Sequence, residues 1–146
     1  MNLKKNRIGI LGGSFDPAHK GHLAISKEAA KRFKLKNIIW AITEKNPFKK
    51  RSSSSVLTRI KYCKKIIGSK RFIKVKFFEN IIKSNKTIDL INYLSKNKKS
   101  EFYFLMGADN LISFHKWHKW KTISKKCKII VFDRHGFKKK SLNSMT

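Results

Sequence analysis

A chain of 146 residues with 40% hydrophobic content is enough for one core and one domain. Its formal charge of +28 at pH 7 attracts anions generally, from nucleotides to nucleic acid to acidic headgroups, and selects none of them. Two cysteines, Cys63 and Cys127, without metal-ligand spacing suggest neither a disulfide framework nor a zinc site, and the N-terminal "MNLKKNRIGIL" is too short an apolar run for a signal peptide or a membrane span.

Taken in chain order, β-branched and aromatic runs predict five strands, at 7–11 (RIGIL), 37–43 (NIIWAIT), 71–78 (RFIKVKFF), 101–106 (EFYFLM) and 128–132 (KIIVF). Helical periodicity fills the intervals. The stretch 22–34 places Leu23, Ala30 and Phe33 on one face, and 56–67 does the same with Val56, Ile60, Cys63 and Ile67. A third helix, 87–96, carries Leu90, Ile91 and Leu94 behind a possible Thr87 cap; a fourth, 109–124, opens at Asp109 and carries Leu111, Phe114 and Trp117. The polar "KKRSSSS" at 49–55 reads as a surface loop. Alternating strands and helices imply βαβ crossovers, and so an α/β fold: a Rossmann-like, doubly wound parallel sheet of about five strands with helices on both faces. Ligands of such sheets bind beyond the carboxyl ends of the strands.

The segment between the first strand and first helix, "GGSFDPAHKGH" at 12–22, therefore falls where a ligand would sit. Gly12 and Gly13 allow a sharp turn and close approach of a ligand to the backbone, Asp16 and Pro17 favour a further turn, and Gly21 and His22 begin a helix whose free N–H groups suit a phosphate. The segment is neither G-x-G-x-x-G nor a P-loop, so hydride transfer and P-loop phosphate binding are disfavoured. His115 and His118 are also three apart, but no third metal ligand lies near them. The charge itself has a compositional reading: 30 of the 36 cationic residues are Lys, beside 18 Ile and 10 Asn, whereas forked recognition of phosphates or base edges favours Arg.

"GGSFDPAHKGH" resembles the signature of the nucleotidyltransferase superfamily with an H-x-G-H motif. With "NPFK" at 46–49, "TIDLI" at 87–91 and "MGADNLISFHKWHKW" at 106–120, the chain resembles the bacterial nicotinate mononucleotide adenylyltransferases from about residue 7 to about residue 137. The resemblance implies an enzyme of NAD synthesis that transfers AMP from ATP to nicotinate mononucleotide, and the N-terminus, without a signal or membrane-spanning run, leads to the expectation of a cytoplasmic protein. It implies catalytic roles for His19 and His22 at the triphosphate and Mg²⁺ held mainly by the ATP phosphates. ATP would lie along Gly12, Gly13, Ser14, Phe15 and Gly21, with Lys49, Gly107 and Arg134 also in its site. On the acceptor side, Asp109 would hold a ribose hydroxyl, Trp117 would stack on the nicotinate ring, and backbone amides near Thr87 and His118 would receive its carboxylate, leaving Trp120 in the core.

The same resemblance implies a nucleotidyltransferase domain over 1–137 and a basic, polar tail over 138–146. Family members run on past the segment matching "VFDRHGF" into an I-S-[ST]-x-x-R-like motif that grips the triphosphate. The tail "KKKSLNSMT" does not contain it, and His135 stands where proline is common, so the chain is expected to lack the C-terminal part of the family fold and to bind triphosphate more weakly. Two other readings stay open: an adenylyltransferase acting on phosphopantetheine, against which "GADNLISFHKW" argues, and a basic nucleotide- or RNA-binding module without catalysis. Nothing in the residues addresses oligomeric state, and neither a specific nucleic acid nor a membrane is expected as a partner.

Overall fold

The computed structural model describes residues 5–44, 55–108 and 113–132. Five strands, β1 (Asn6–Gly13), β2 (Asn37–Ile42), β3 (Ile73–Lys76), β4 (Ser100–Gly107) and β5 (Lys128–Phe132), form one sheet in the order β3-β2-β1-β4-β5. Every neighbouring pair is parallel, with Ile10 opposite Ile39 on one side of β1 and opposite Phe104 on the other. Parallel neighbours require crossovers, and helices supply them: α1 (Lys20–Phe33), α2 (Val56–Ile67), α3 (Glu79–Ile82), α4 (Thr87–Leu94) and α5 (Trp120–Lys126).

From β1 the chain steps one way to β2 and β3, then returns past β1 to β4 and β5. Right-handed crossovers in opposite directions put their helices on opposite faces, and the strand side chains divide accordingly. Leu11, Trp40, Leu105 and Ile130 join one buried cluster with Ala29 of α1 and Cys63 and Ile67 of α2. Their chain neighbours Ile10, Ala41 and Phe104 join the other, with Ile88 and Ile91 of α4 and Ile123 of α5. Strands that are apolar on both faces explain the continuous runs in the sequence. The direction of winding reverses between β1 and β4, and at such a point the loops leaving the two strands part to opposite faces and leave a crevice. Both strands end there in glycine, Gly13 and Gly107.

Three expectations need correction. The stretch 109–124 is not one helix: among its described residues, Phe114–Lys116 form a single 3₁₀ turn, Trp117 is extended, Lys119 is left-handed (φ 54°) and only then does α5 begin. Trp117 and Trp120 thus do not share a helical face, although both pack edge-on against Phe114. Strand 71–78 contracts to 73–76, the four residues with partners on β2, and a short helix, α3, begins at Glu79. Thr87 is the first residue of α4 rather than its cap, which is Lys86; Ser84 Oγ takes the Lys86 N–H and donates to the Asp89 carboxylate, organising that terminus from outside. Cys63 and Cys127 are both buried free thiols, pushed by desolvation to about 11 and about 12, as structural thiols would be.

Candidate active site

The sharp turn expected at Gly12 and Gly13 falls two residues later. Both glycines extend β1, and the chain turns at Phe15, which takes a left-handed φ of 50° before the cis Asp16–Pro17 bond. Phe15 is only 2% exposed, stacked on Trp40 with centroids 5.1 Å apart and against the His22 ring at 4.6 Å. Burial of that ring fixes where the loop ends and α1 starts.

At this start two histidines cap the helix reciprocally. The Gly21 N–H donates to His19 Nδ1 (3.1 Å), and the His19 N–H donates to His22 Nδ1 (3.0 Å). This is the geometry of a capping box, made by imidazoles instead of the usual hydroxyl and carboxylate. The bonds also assign the tautomer: a nitrogen that accepts carries no proton, so each neutral ring bears its proton on Nε2. The two ring centroids lie 3.9 Å apart. Burial, and secondarily the proximity of His19, hold the His22 imidazole down to about 4, well below the usual histidine value, so it is neutral at physiological pH. Two Nε2–H donors at the positive end of the helix dipole form a cradle for anionic oxygen, while the His19, Gly21 and His22 N–H groups are taken up by the cap itself.

Gly21 is required by this cap. A Cβ built there would lie 2.8 Å from both Cε1 and Nδ1 of His19. Behind His22, the fully buried Trp40 donates its Nε1–H to Ser26 Oγ (2.8 Å), and Ser26 donates to the His22 carbonyl (2.8 Å). The first turn of α1 is thus hydrogen-bonded to a β2 side chain at the centre of the core.

On the other face, a cleft beyond the strand ends is lined by Gly12, Thr43, Glu79, Thr87 and Phe104, among others. Thr87 and Gly12, 75 positions apart in sequence, meet there. Trp117 is half-buried and packs edge-to-face on Phe104 (5.9 Å, 88°), so Phe104 joins the indole to the cleft wall. His118 is exposed in the turn that follows. Gly107 is buried at the end of β4. Lys49, Asp109 and Arg134 lie outside the described residues, as does most of the 49–55 loop, whose last residue, Ser55, caps α2 through the Thr58 N–H.

The sequence reading missed Arg59. It is 2% exposed on α2, and its guanidinium donates to the Ser14, Thr43 and Glu44 carbonyls, each at 2.8 Å. A signal was present: Arg59 lies three residues after Val56 and four before Cys63, on the face assigned to the core. Among the described residues no three His, Cys, Asp or Glu come together as a metal cage, and no helix is long and apolar enough to cross a membrane.

The chain is similar in sequence and fold to known proteins. The family model described as "Cytidylyltransferase-like" matches residues 10–145. A protein of Pelagibacter ubique named "Probable nicotinate-nucleotide adenylyltransferase" is 67% identical over 146 residues, all of this chain and 81% of that one. One of the same name from Agrobacterium fabrum is 40% identical over 131 residues, 88% of this chain and 70% of its own. The structure of Plasmodium falciparum nicotinic acid mononucleotide adenylyltransferase complexed with NaAD superposes with a TM-score of 0.78 at 24% identity, over 91% of this chain and 67% of that one, a likeness of fold.

Proposed function

This chain belongs to the cytidylyltransferase-like family, among the nicotinate-nucleotide adenylyltransferases, and from that premise we propose how its residues transfer AMP from ATP to nicotinate mononucleotide, giving nicotinate adenine dinucleotide and pyrophosphate. The attacking group is a phosphate already ionised at neutral pH. No base is needed, and the rate comes from aligning two anions and stabilising the charge that builds on the α-phosphoryl group and the departing pyrophosphate.

The observation that carries this reading is the reciprocal His19–His22 cap at the N-terminus of α1. ATP would lie along Gly12, Gly13, Ser14 and Phe15, with Gly107 at the neighbouring strand end. His19 and His22 would donate their Nε2–H groups to triphosphate oxygens, and the Gly21 region would add the field of the helix terminus. Lys49 and Arg134 would bring further positive charge to the triphosphate. The acceptor would occupy the cleft, its ring against Trp117, its carboxylate on backbone amides near Thr87 and His118, and a ribose hydroxyl on Asp109. Mg²⁺ would be carried mainly by the triphosphate, where it would neutralise phosphate charge.

The test is pyrophosphate release from ATP with nicotinate mononucleotide as acceptor, run beside nicotinamide mononucleotide and phosphopantetheine. Release with the nicotinate acceptor, reduced about 100-fold or more in His22→Ala, is the expected result. Release with phosphopantetheine alone would replace the acceptor assignment. No release with any acceptor, together with salt-sensitive retention of RNA, would replace catalysis with nucleic-acid binding.

A further inference from the structure

Arg59 and Glu79 lie on different helices, α2 and α3, and converge on the end of β2. Strand pairing of β2 stops at Ile42, so the Thr43 carbonyl and the Glu44 N–H and carbonyl lie beyond the sheet ladder. The Thr43 N–H returns to the Gly13 carbonyl (2.9 Å). The Thr43 and Glu44 carbonyls accept from Arg59, and the Glu44 N–H donates to Glu79 Oε1 (3.1 Å). One peptide unit's two flanks are thus held by two side chains of opposite charge. Arg59 reaches further, to the Ser14 carbonyl in the proposed ATP loop, while Glu79 lines the acceptor cleft with Thr87.

We propose that Arg59 and Glu79 are paired positioning residues for the transfer reaction, gripping Glu44 from both sides so that the phosphate loop and the acceptor wall keep a fixed separation. The pair's placement favours positioning over contact with substrate. Arg59 is 2% exposed and commits three of its five donors to carbonyls, which keeps it inside the fold rather than at the surface where a phosphate would lie. α3 has four residues, too few to be stable alone, and its Glu79 bond anchors it to the strand end on which the site is built. Lysine in place of Arg59 keeps the charge but brings one nitrogen where the guanidinium's fork serves three carbonyls.

This inference rests on the adenylyl-transfer reading, and the experiment separates the two. Arg59→Lys, Glu79→Ala and Glu79→Gln are compared for kcat and for KM of both substrates, with hydrogen exchange of the Glu44 amide as a readout that needs no turnover. Arg59→Lys and Glu79→Ala are each expected to lower kcat/KM by about 10- to 100-fold, with KM raised for ATP and nicotinate mononucleotide together. Their combined effect should fall short of the product of the single effects. The Glu44 amide should exchange faster in Glu79→Ala and stay protected in Glu79→Gln, whose amide oxygen still accepts the bond and recovers most of the lost activity. Unchanged KM values with only an apparent loss of kcat would mean fewer folded molecules and would overturn the proposal, as would Glu44 exchange indifferent to residue 79. A wild-type protein without transfer activity but with Glu44 exchange behaving as described would refute the reaction and leave the clamp standing.

Discussion

Gly21 and the two histidines can be separated experimentally because they affect stability and function differently. In Gly21→Ala the new Cβ displaces the His19 ring, whose exposed side chain swings away at the loss of a cap worth about 1 kcal/mol. Alanine returns up to about 1 kcal/mol of helix propensity, so the melting temperature should hold nearly level while kcat/KM falls about 100-fold. Calorimetry beside pyrophosphate release checks the pairing; a proportionate loss of both would contradict it. His22 sets a pH signature. Its folded-state value of about 4 lies below the ordinary 6.5, so between them the unfolded chain binds the proton that the folded chain refuses. The stability contributed by neutral His22 is complete above about pH 6.5 and is lost as pH falls toward about 4. Urea unfolding of the unliganded protein across that window should show a steeper fall in stability for wild type than for His22→Gln; equal slopes would assign the effect elsewhere.

At the scale of elements, α1 is held in register by a hydrogen-bond chain as well as by its apolar face. Removing Ser26 Oγ leaves the Trp40 Nε1–H buried without that acceptor, a cost of about 1–3 kcal/mol. Ser26→Ala is therefore expected to destabilise by that amount, and adding Trp40→Phe should cost less on the Ser26→Ala background than on wild type, since its donor is already orphaned. Additive losses in chemical denaturation would show that the bond carries no weight. The elements themselves were largely legible. Strands apolar on both faces and helices with a single buried stripe leave different periodicities, and these gave all five strands and the two-sided winding. What the sequence obscured has local physical causes. Phe114 and Trp117 have helical spacing but meet by tertiary packing across a broken turn, and the left-handed residue that breaks it is Lys119, not a glycine. α3 is too short for a period to register. Arg59 and Ser26 act through partners many positions away, which no window of neighbours reveals, whereas His19, Gly21 and His22 fall within four consecutive residues, so one short motif draws them together as candidates.

For the whole molecule, 36 basic residues face 8 acidic ones, so most cations have no acidic partner to find. Pairs such as Arg32–Glu28 and Lys128–Glu101 lie at the surface, where each is worth about 1 kcal/mol or less. Exposed Lys74 and Lys76 on the edge strand β3 discourage pairing with another sheet, a sufficient role for charge there. Like charges crowd in the folded state, so raising ionic strength from about 0.01 M to about 0.15 M, which shortens the screening length from about 30 Å to about 8 Å, should raise the melting temperature. Scanning calorimetry in potassium chloride checks this, and a fall would imply that the lysines are arranged to attract one another's neighbours more than they repel. In the reaction proposed above, the doubled histidine cap would act without taking a proton. Each Nδ1 is occupied by a backbone N–H and each Nε2 already holds a hydrogen, so neither ring keeps a lone pair for a proton in transit. In the proposed reaction the cradle would have nothing to reset between cycles and would take part in pyrophosphorolysis as in synthesis, the net flow belonging to whatever removes pyrophosphate.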